Sequence, residues 1–238
     1  MPTESLCPQF PGRVKAVIFD LDGTLVDSAP DLACAVNQTL AELGLPPRDE
    51  RRLATFIGKG TARLVERSLI GQLDGNADAE LLARALAIFE RHYQRESGRQ
   101  AALFPGVAAG LEALRREQIP LACVTNKPDR FTRALLAKMG IAACFDLIVA
   151  GDTLARKKPD PLPFLHACRG LHVEPAQALV VGDSMNDVQG ARAAGCPVVC
   201  VPYGYNEGRP IETSGCDAVI ADVLQAAQLV LAGRQHNS

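Results

Sequence analysis

The chain of 238 residues is 47% hydrophobic and sets 25 Lys and Arg against 27 Asp and Glu, a formal net charge of −2. The length supports one full core plus a smaller second unit; the lack of a single-sign block, of tryptophan and of more than 5% aromatics argues against a nucleic-acid surface. No apolar run approaches the ~18 residues of a membrane helix, and Met1 to Arg13 shows no basic start followed by an apolar stretch, so a cytoplasmic protein is expected.

Val14 to Phe19, between Gly12 and Gly23, reads as a buried β-branched strand. It runs directly into Asp20-Leu21-Asp22-Gly23-Thr24. In an extended chain residues i and i+2 point the same way, so Asp20 and Asp22 share a side while Leu21 turns to the core. Two such charges at ~4 Å repel by roughly 4 kcal/mol at an effective dielectric near 20, which implies a cation, a shared proton or chemistry. A strand ending in an Asp-Gly turn is the plainer reading of the same residues.

Helical patterns follow at about Asp31 to Leu43, Glu50 to Phe56, Thr61 to Ile70 and Glu80 to Arg91, broken by Gly44 to Pro47, Gly58 to Gly60, Gly71 to Asn76 and Phe104 to Gly106. No strand is evident among them, so they read as an all-helical insert. From Pro105 the rhythm alternates. Val107 to Glu117 reads as helix, Leu121 to Thr125 as strand, Phe131 to Met139 as helix and Leu147 to Ala150 as strand. Pro161 to Gly170 is then helix, Ala178 to Val181 strand, Asp187 to Ala194 helix and Val198 to Val201 strand, before Ala218 to Ile220 and a last helix. Alternation of this kind implies an α/β fold, a doubly wound, mainly parallel sheet covered on both faces, with ligands bound beyond the carboxyl ends of its strands. The expected division is a core of residues 14–28 and 104–238 and a helical unit of residues 29–103. Eight dispersed cysteines, among them Cys34, Cys123, Cys144 and Cys168, read as reduced thiols; Cys196 and Cys200 lack the partners of a zinc set, and the four histidines form no ligand group.

Polar clusters follow successive strands: Asp20 and Asp22, Thr125-Asn126, and Gly182 to Asp187. Lys157-Lys158-Pro159 opens a helix and can bring Lys158 back to the same rim. Singly, these read as a helix cap, a turn with an N-cap and a solvated basic pair. Jointly they read as a site.

In order and spacing, Asp20-Leu21-Asp22-Gly23-Thr24, Thr125-Asn126, Lys158-Pro159 and Gly182-Asp183-Ser184-Met185-Asn186-Asp187 resemble the four motifs of the haloacid dehalogenase superfamily of phosphatases, over almost the whole chain. Asp27-Ser28-Ala29-Pro30, Val124 to Pro128, Lys157-Lys158-Pro159 and Tyr203-Gly204-Tyr205-Asn206 are similar to the phosphoglycolate phosphatase branch of bacteria. The resemblance implies a Rossmann-like core with a C1-type cap. It implies Asp20 as nucleophile, Asp22 as general acid and base, and Mg²⁺ held by Asp20, the backbone carbonyl of Asp22 and Asp183. Lys158, Thr125 and Asn126 would meet the phosphate, with Asp187 supporting Lys158 or a metal-bound water. The implied substrate is a small phosphate ester, 2-phosphoglycolate first. In the cap, Lys59 and Arg63 are the expected partners of its carboxylate, although asparagine is common in that branch where Lys59 stands; a plain helix-to-helix turn fits Phe56 to Gly60 equally. Another small ester such as a sugar phosphate, a phosphomutase of the same superfamily and a non-catalytic binding protein are the alternatives. The sequence leaves the oligomeric state open.

Overall fold

The computed structural model describes residues 14–235; the N-terminal segment read for a secretion signal and the tail from residue 236 lie outside the described residues. In chain order the elements are β1 (Ala16–Phe19), β2 (Val26–Asp27), α1 (Ala29–Glu42), α2 (Glu50–Ala54), α3 (Thr61–Ile70), α4 (Ala79–Glu96), β3 (Ala102–Leu103), α5 (Val107–Arg116), β4 (Leu121–Val124), α6 (Asp129–Lys138), β5 (Leu147–Val149), α7 (Leu162–Gly170), β6 (Ala178–Gly182), α8 (Met185–Ala194), β7 (Val198–Cys200), β8 (Ala218–Val219) and α9 (Val223–Gln235).

Six strands form a parallel sheet in the order β5-β4-β1-β6-β7-β8. β1 lies centrally, Val17 opposite Leu121 on one side and Leu179 on the other. Alternate side chains feed two cores, as the pleat requires. Val17, Phe19, Leu121, Leu179 and Val181 pack with residues of α5, α6 and α9, whereas Ala16, Ile18, Ala122, Val124 and Val180 pack with residues of α7 and α8. With both faces covered, polar side chains collect at the strand ends, and the doubly wound parallel sheet expected from the alternation is present.

Between β2 and β3 the chain builds α1 to α4 around a third cluster, Leu32, Val36, Leu40, Leu53, Phe56, Leu64, Val65 and Phe89 among them. Local signals set its helix ends. Asp49 and Asp78 cap α2 and α4 by accepting from Arg52 and Leu81 N–H, and Gly71 ends α3 in the left-handed conformation at φ +72°. The insert is fastened at its exit by Asp31 of α1, whose buried carboxylate accepts from the N–H groups of Gly98 (2.6 Å), Gln100 (2.8 Å) and Ala101 (3.3 Å).

Several features depart from the sequence reading, α4 among them, which runs on to Glu96 where Arg91 was expected. β2 and β3 pair antiparallel where no strand was expected, because two residues each are too short to show a period. α2 ends at Ala54, two residues early, as the chain turns into Gly58 at φ +111°.

Candidate active site

β1 delivers Asp20 and Asp22 to its carboxyl end, and both line one cleft while Leu21 is fully buried in the core. The first carboxylate is held by contacts that use a single oxygen: Asp20 Oδ1 accepts from Leu21 N–H at 2.6 Å and lies 2.8 Å from Lys158 Nζ. Lys158 reaches Asp187 Oδ1 at 2.7 Å in turn. Asp187 is fixed by its own helix end, since its Oδ2 accepts from Ser184 N–H and Oγ in a capping box that opens α8. The run Asp20, Lys158, Asp187 is therefore set by three strand or helix ends.

Asp183, after β6, accepts from Thr24 Oγ1 at 2.7 Å and from Tyr205 N–H at 2.6 Å. Gly23 lies against it at φ +92°, and a Cβ there would stand 2.4 Å from Asp183 Oδ2, so both the turn and the close approach require glycine. Asp22 faces another cation. Lys127 Nζ lies 2.9 and 3.0 Å from its two oxygens, and Ser28 Oγ donates to it at 2.6 Å.

Electrostatics sort these groups. Burial is the main cause that pushes the Asp20 carboxyl up to about 7, with Asp187 adding to it and Lys158 opposing. Burial, then Asp20 and Asp187, raise Asp183 well above the ordinary range. Desolvation disfavours the charge of Lys158, but Asp187 and Asp20 outweigh it and hold the ammonium firmly protonated; Asp22 does the same for Lys127. Asp20, Asp183 and Asp187 each offer an oxygen within 4.8 Å of the others. Among the described residues Lys158 is the sole cation touching that trio, and it leaves Asp183 without one. Such a desolvated, under-neutralised oxygen cluster fits a hard divalent cation. Asp187 already meets the Lys158 ammonium, Asp183 meets neutral donors only, and Asp20 leaves one oxygen free of both its contacts, so Asp20 and Asp183 are the better donors.

Thr125 and Asn126 follow β4 into the cleft. Thr125 Oγ1 accepts from Lys127 N–H at 3.2 Å. Asn126 Nδ2 donates to Gly58 O at 2.9 Å and Lys158 O at 3.0 Å, tying the insert to the rim, while its buried Oδ1 has no protein partner. Leu32, Ile57, Gly58, Gly60, Thr61 and Leu64 of the insert close the other side of a cleft of about 390 Å³ including its open mouth, the small end of the range for ligand pockets.

Neither cation expected from the insert lines this cleft. Lys59 Nζ pairs with Glu207 at 3.0 Å, and Arg63 is occupied inside the insert by Glu66 (2.6 Å) and the carbonyls of Leu73 and Gly75 (both 2.8 Å). Arg63 turns away because α3 presents Thr61 and Leu64 to the cleft and Arg63 to the 71–77 loop, and Lys59, ahead of α3, is drawn to Glu207. Lys127 is the residue that the sequence reading left without a role. Its signal was position: it stands two residues beyond Thr125 at a strand end, where a buried lysine needs an anionic partner.

This arrangement agrees with the comparisons to known proteins. A profile of the haloacid dehalogenase-like hydrolases matches residues 17–201, and the chain belongs to that family. It is a hydrolase built on a Rossmann-like α/β core. A phosphoglycolate phosphatase of Nitrosospira multiformis is 49% identical over 93% of this chain and 97% of its own length, and one of Thiobacillus denitrificans is 48% identical over the same shares. Among solved structures, a predicted phosphoglycolate phosphatase from Haemophilus somnus 129PT superposes with a TM-score of 0.86 at 35% identity, covering 92% of this chain and 98% of that one. CbbY from Rhodobacter sphaeroides, solved with phosphate, gives 0.73 at 30%, covering 89% and 96%.

Proposed function

We propose that the chain is a Mg²⁺-dependent phosphoglycolate phosphatase, hydrolysing 2-phosphoglycolate to glycolate and phosphate, with residues 29–103 acting as a cap over residues 14–28 and 104–238. The observation that carries it is the pair Asp20 and Asp22 in one small cleft, each against its own buried lysine. Two carboxylates so provided for can divide the work of a displacement.

An oxygen of Asp20 attacks phosphorus and the bond from phosphorus to the ester oxygen breaks, leaving an aspartyl-phosphate. Asp22 gives its proton to the departing alkoxide oxygen, a contribution of about 10² to 10⁴ in rate. Asp22 then takes a proton from water, whose oxygen attacks phosphorus and releases Asp20 and inorganic phosphate. Lys158, Thr125 and Asn126 receive phosphate oxygens that grow more negative as the bond breaks, and Asp187 keeps Lys158 aimed. Asp20, Asp183 and the Asp22 carbonyl would hold the Mg²⁺, which supplies charge neutralisation for an anionic nucleophile meeting an anionic ester. The free thiols of the seven described cysteines support a cytoplasmic setting.

A panel of 2-phosphoglycolate, glucose 6-phosphate, ribose 5-phosphate and p-nitrophenyl phosphate, assayed for released phosphate, tests the reading. Phosphoglycolate is expected to give the highest kcat/KM. A sugar phosphate in first place would keep the chemistry and replace the substrate, and transfer of phosphate to a second hydroxyl instead of water would make the protein a mutase.

A further inference from the structure

The leaving group of phosphoglycolate is itself an anion, and any cation that meets it has to stand in the cleft. The insert supplies none: Lys59 and Arg67 are bound to Glu207 at 3.0 and 2.6 Å, and Arg63 to Glu66 at 2.6 Å. Its face on the cleft is Leu32, Ile57, Gly58, Gly60, Thr61 and Leu64. Lys158 lies between Asp20 and Asp187, at the phosphate end. Among the described residues lining the cleft, one cation remains, Lys127.

We infer that Lys127 is the receptor for the carboxylate of the leaving group and thereby determines which ester is preferred. This deepens the phosphoglycolate reading and rests on it. To protonate the ester oxygen, Asp22 has to stand within about 3 Å of it. In phosphoglycolate one methylene separates that oxygen from the carboxylate carbon, so the carboxylate falls within about 4 Å of the ester oxygen by ordinary bond lengths. Lys127 Nζ lies 2.9 and 3.0 Å from the two oxygens of Asp22. A group placed at hydrogen-bond range of Asp22 and one methylene long therefore ends beside that ammonium. Asp22 cannot spend both oxygens on Lys127 and also reach the ester oxygen. As substrate seats, one contact of the pair is given up and the substrate carboxylate takes the vacated donor.

Lys127 is prepared for this in two ways. Its stem is buried, 4% of the side chain being exposed, so the ammonium has little water to compete with an incoming anion. It also sits 4.9 Å from the centre of the Tyr93 ring, contributed by α4 of the insert, with Phe131 edge-on to that ring at 4.9 Å. The ammonium is thus positioned jointly by the core, which carries Lys127 and Asp22, and by the insert.

The test compares 2-phosphoglycolate with 2-hydroxyethyl phosphate, which keeps the two-carbon skeleton and replaces the carboxylate by a hydroxymethyl group, in the wild-type protein and in Lys127→Met and Lys127→Arg, all with Mg²⁺. Wild-type protein should favour phosphoglycolate by about 100-fold in kcat/KM, a charged contact being lost with the analogue. Lys127→Met should lower both substrates but cut that preference by about tenfold or more, mainly through KM for phosphoglycolate, and Lys127→Arg should restore most of it. Equal loss on both esters with the preference intact would overturn the inference. Should Lys127→Met fail to fold, the wild-type ratio decides: a value near one also overturns it. Release of phosphate from neither ester by the wild-type protein removes the phosphatase reading and this inference together, whereas equal release from both removes this inference alone.

Discussion

The rim of the sheet and the helical insert both bury charge, and they do it differently. At the rim, Asp20, Lys158 and Asp187 form a chain of contacts at 2.8 and 2.7 Å whose members are fixed by the end of β1 and the capping box of α8. In the insert, Arg67 is as deeply buried but is satisfied by the carbonyls of Leu73 and Phe56 and by Glu207, 140 residues away. One region holds its carboxylates against their own repulsion; the other spends its cations on its own backbone and on a latch to the core. The contrast teaches that charge is strained where chemistry is proposed and quenched where the chain only needs to hold together. Glu207 shows the quenched case: burial would raise its carboxyl, yet the hydrogen bonds from Arg67 and Lys59 hold it below the usual range.

The sharpest way to break the comparison is Asp20→Asn. If the rim is strained for catalysis, removing one charge should abolish turnover and leave the fold intact. We expect kcat to fall by about 10⁴-fold or more, with the melting temperature within a few degrees of wild type, because the neutral amide no longer opposes burial and Lys158 keeps Asp187. Substantial turnover in the pure, folded variant would take the nucleophile's role from Asp20.

Metal removal probes the same strain without a change at the nucleophile. The folded Asp20 carboxyl titrates near 7, against 3.8 for the free group, and Asp183 is displaced in the same direction. Between about pH 4 and 7 the folded chain therefore holds protons that the unfolded chain has released, so the stability of the chelated protein should fall as pH rises. Mg²⁺ should raise the melting temperature more at pH 8 than at pH 5 and restore activity after chelation. Asp183→Asn should blunt both responses and lower activity by about 10²-fold at limiting Mg²⁺. Melting curves with and without chelator at the two pH values check the sign; a Mg²⁺ effect that is larger at pH 5 would contradict it.

The insert side is tested by Glu207→Gln, which keeps the shape and removes the charge shared by Lys59 and Arg67. A latch predicts a loss of several-fold in kcat/KM carried by KM, and faster hydrogen exchange in α3, because the buried Arg67 loses its ionic partner. An unchanged exchange pattern would show that apolar packing alone seats the insert.

How far the sequence could be read follows the same division. Asp20, Asp22, Thr125, Lys158, Asp183 and Asp187 were legible as a group because each stands at a strand or helix end, where a few local residues fix the direction of the side chain. The strand and helix alternation was legible for a similar reason, since its periods span enough residues to be seen. The ribbon of β2 and β3 was not, being two residues long on each side. Nor were the destinations of Lys59 and Arg63: Lys59 stands ahead of α3 and is drawn to Glu207, far along the chain, and Arg63 turns to the carbonyls of an irregular loop that shows no period. Lys127 was not legible because its partner Asp22 stands 105 residues earlier in the chain.

Arg63→Ala is the gentlest of these changes and the one that separates the two readings of the insert. As a receptor for the substrate carboxylate, Arg63 would cost phosphoglycolate turnover selectively, by about 10-fold or more. Its observed partners say otherwise, because its three contacts, to Glu66, Leu73 and Gly75, all stay within residues 63–75 of the insert. The side chain is a staple between α3 and the loop that follows, part-exposed and paired at i,i+3, worth about 1 kcal/mol. We therefore expect kcat/KM for phosphoglycolate and for p-nitrophenyl phosphate to change together and by less than about twofold, as for a surface contact outside the cleft, with a melting temperature lower by about 2–4 °C. A selective loss of phosphoglycolate turnover would mean that the insert rearranges enough on binding to release Arg63 from Glu66, and would move the carboxylate receptor from the core to the cap.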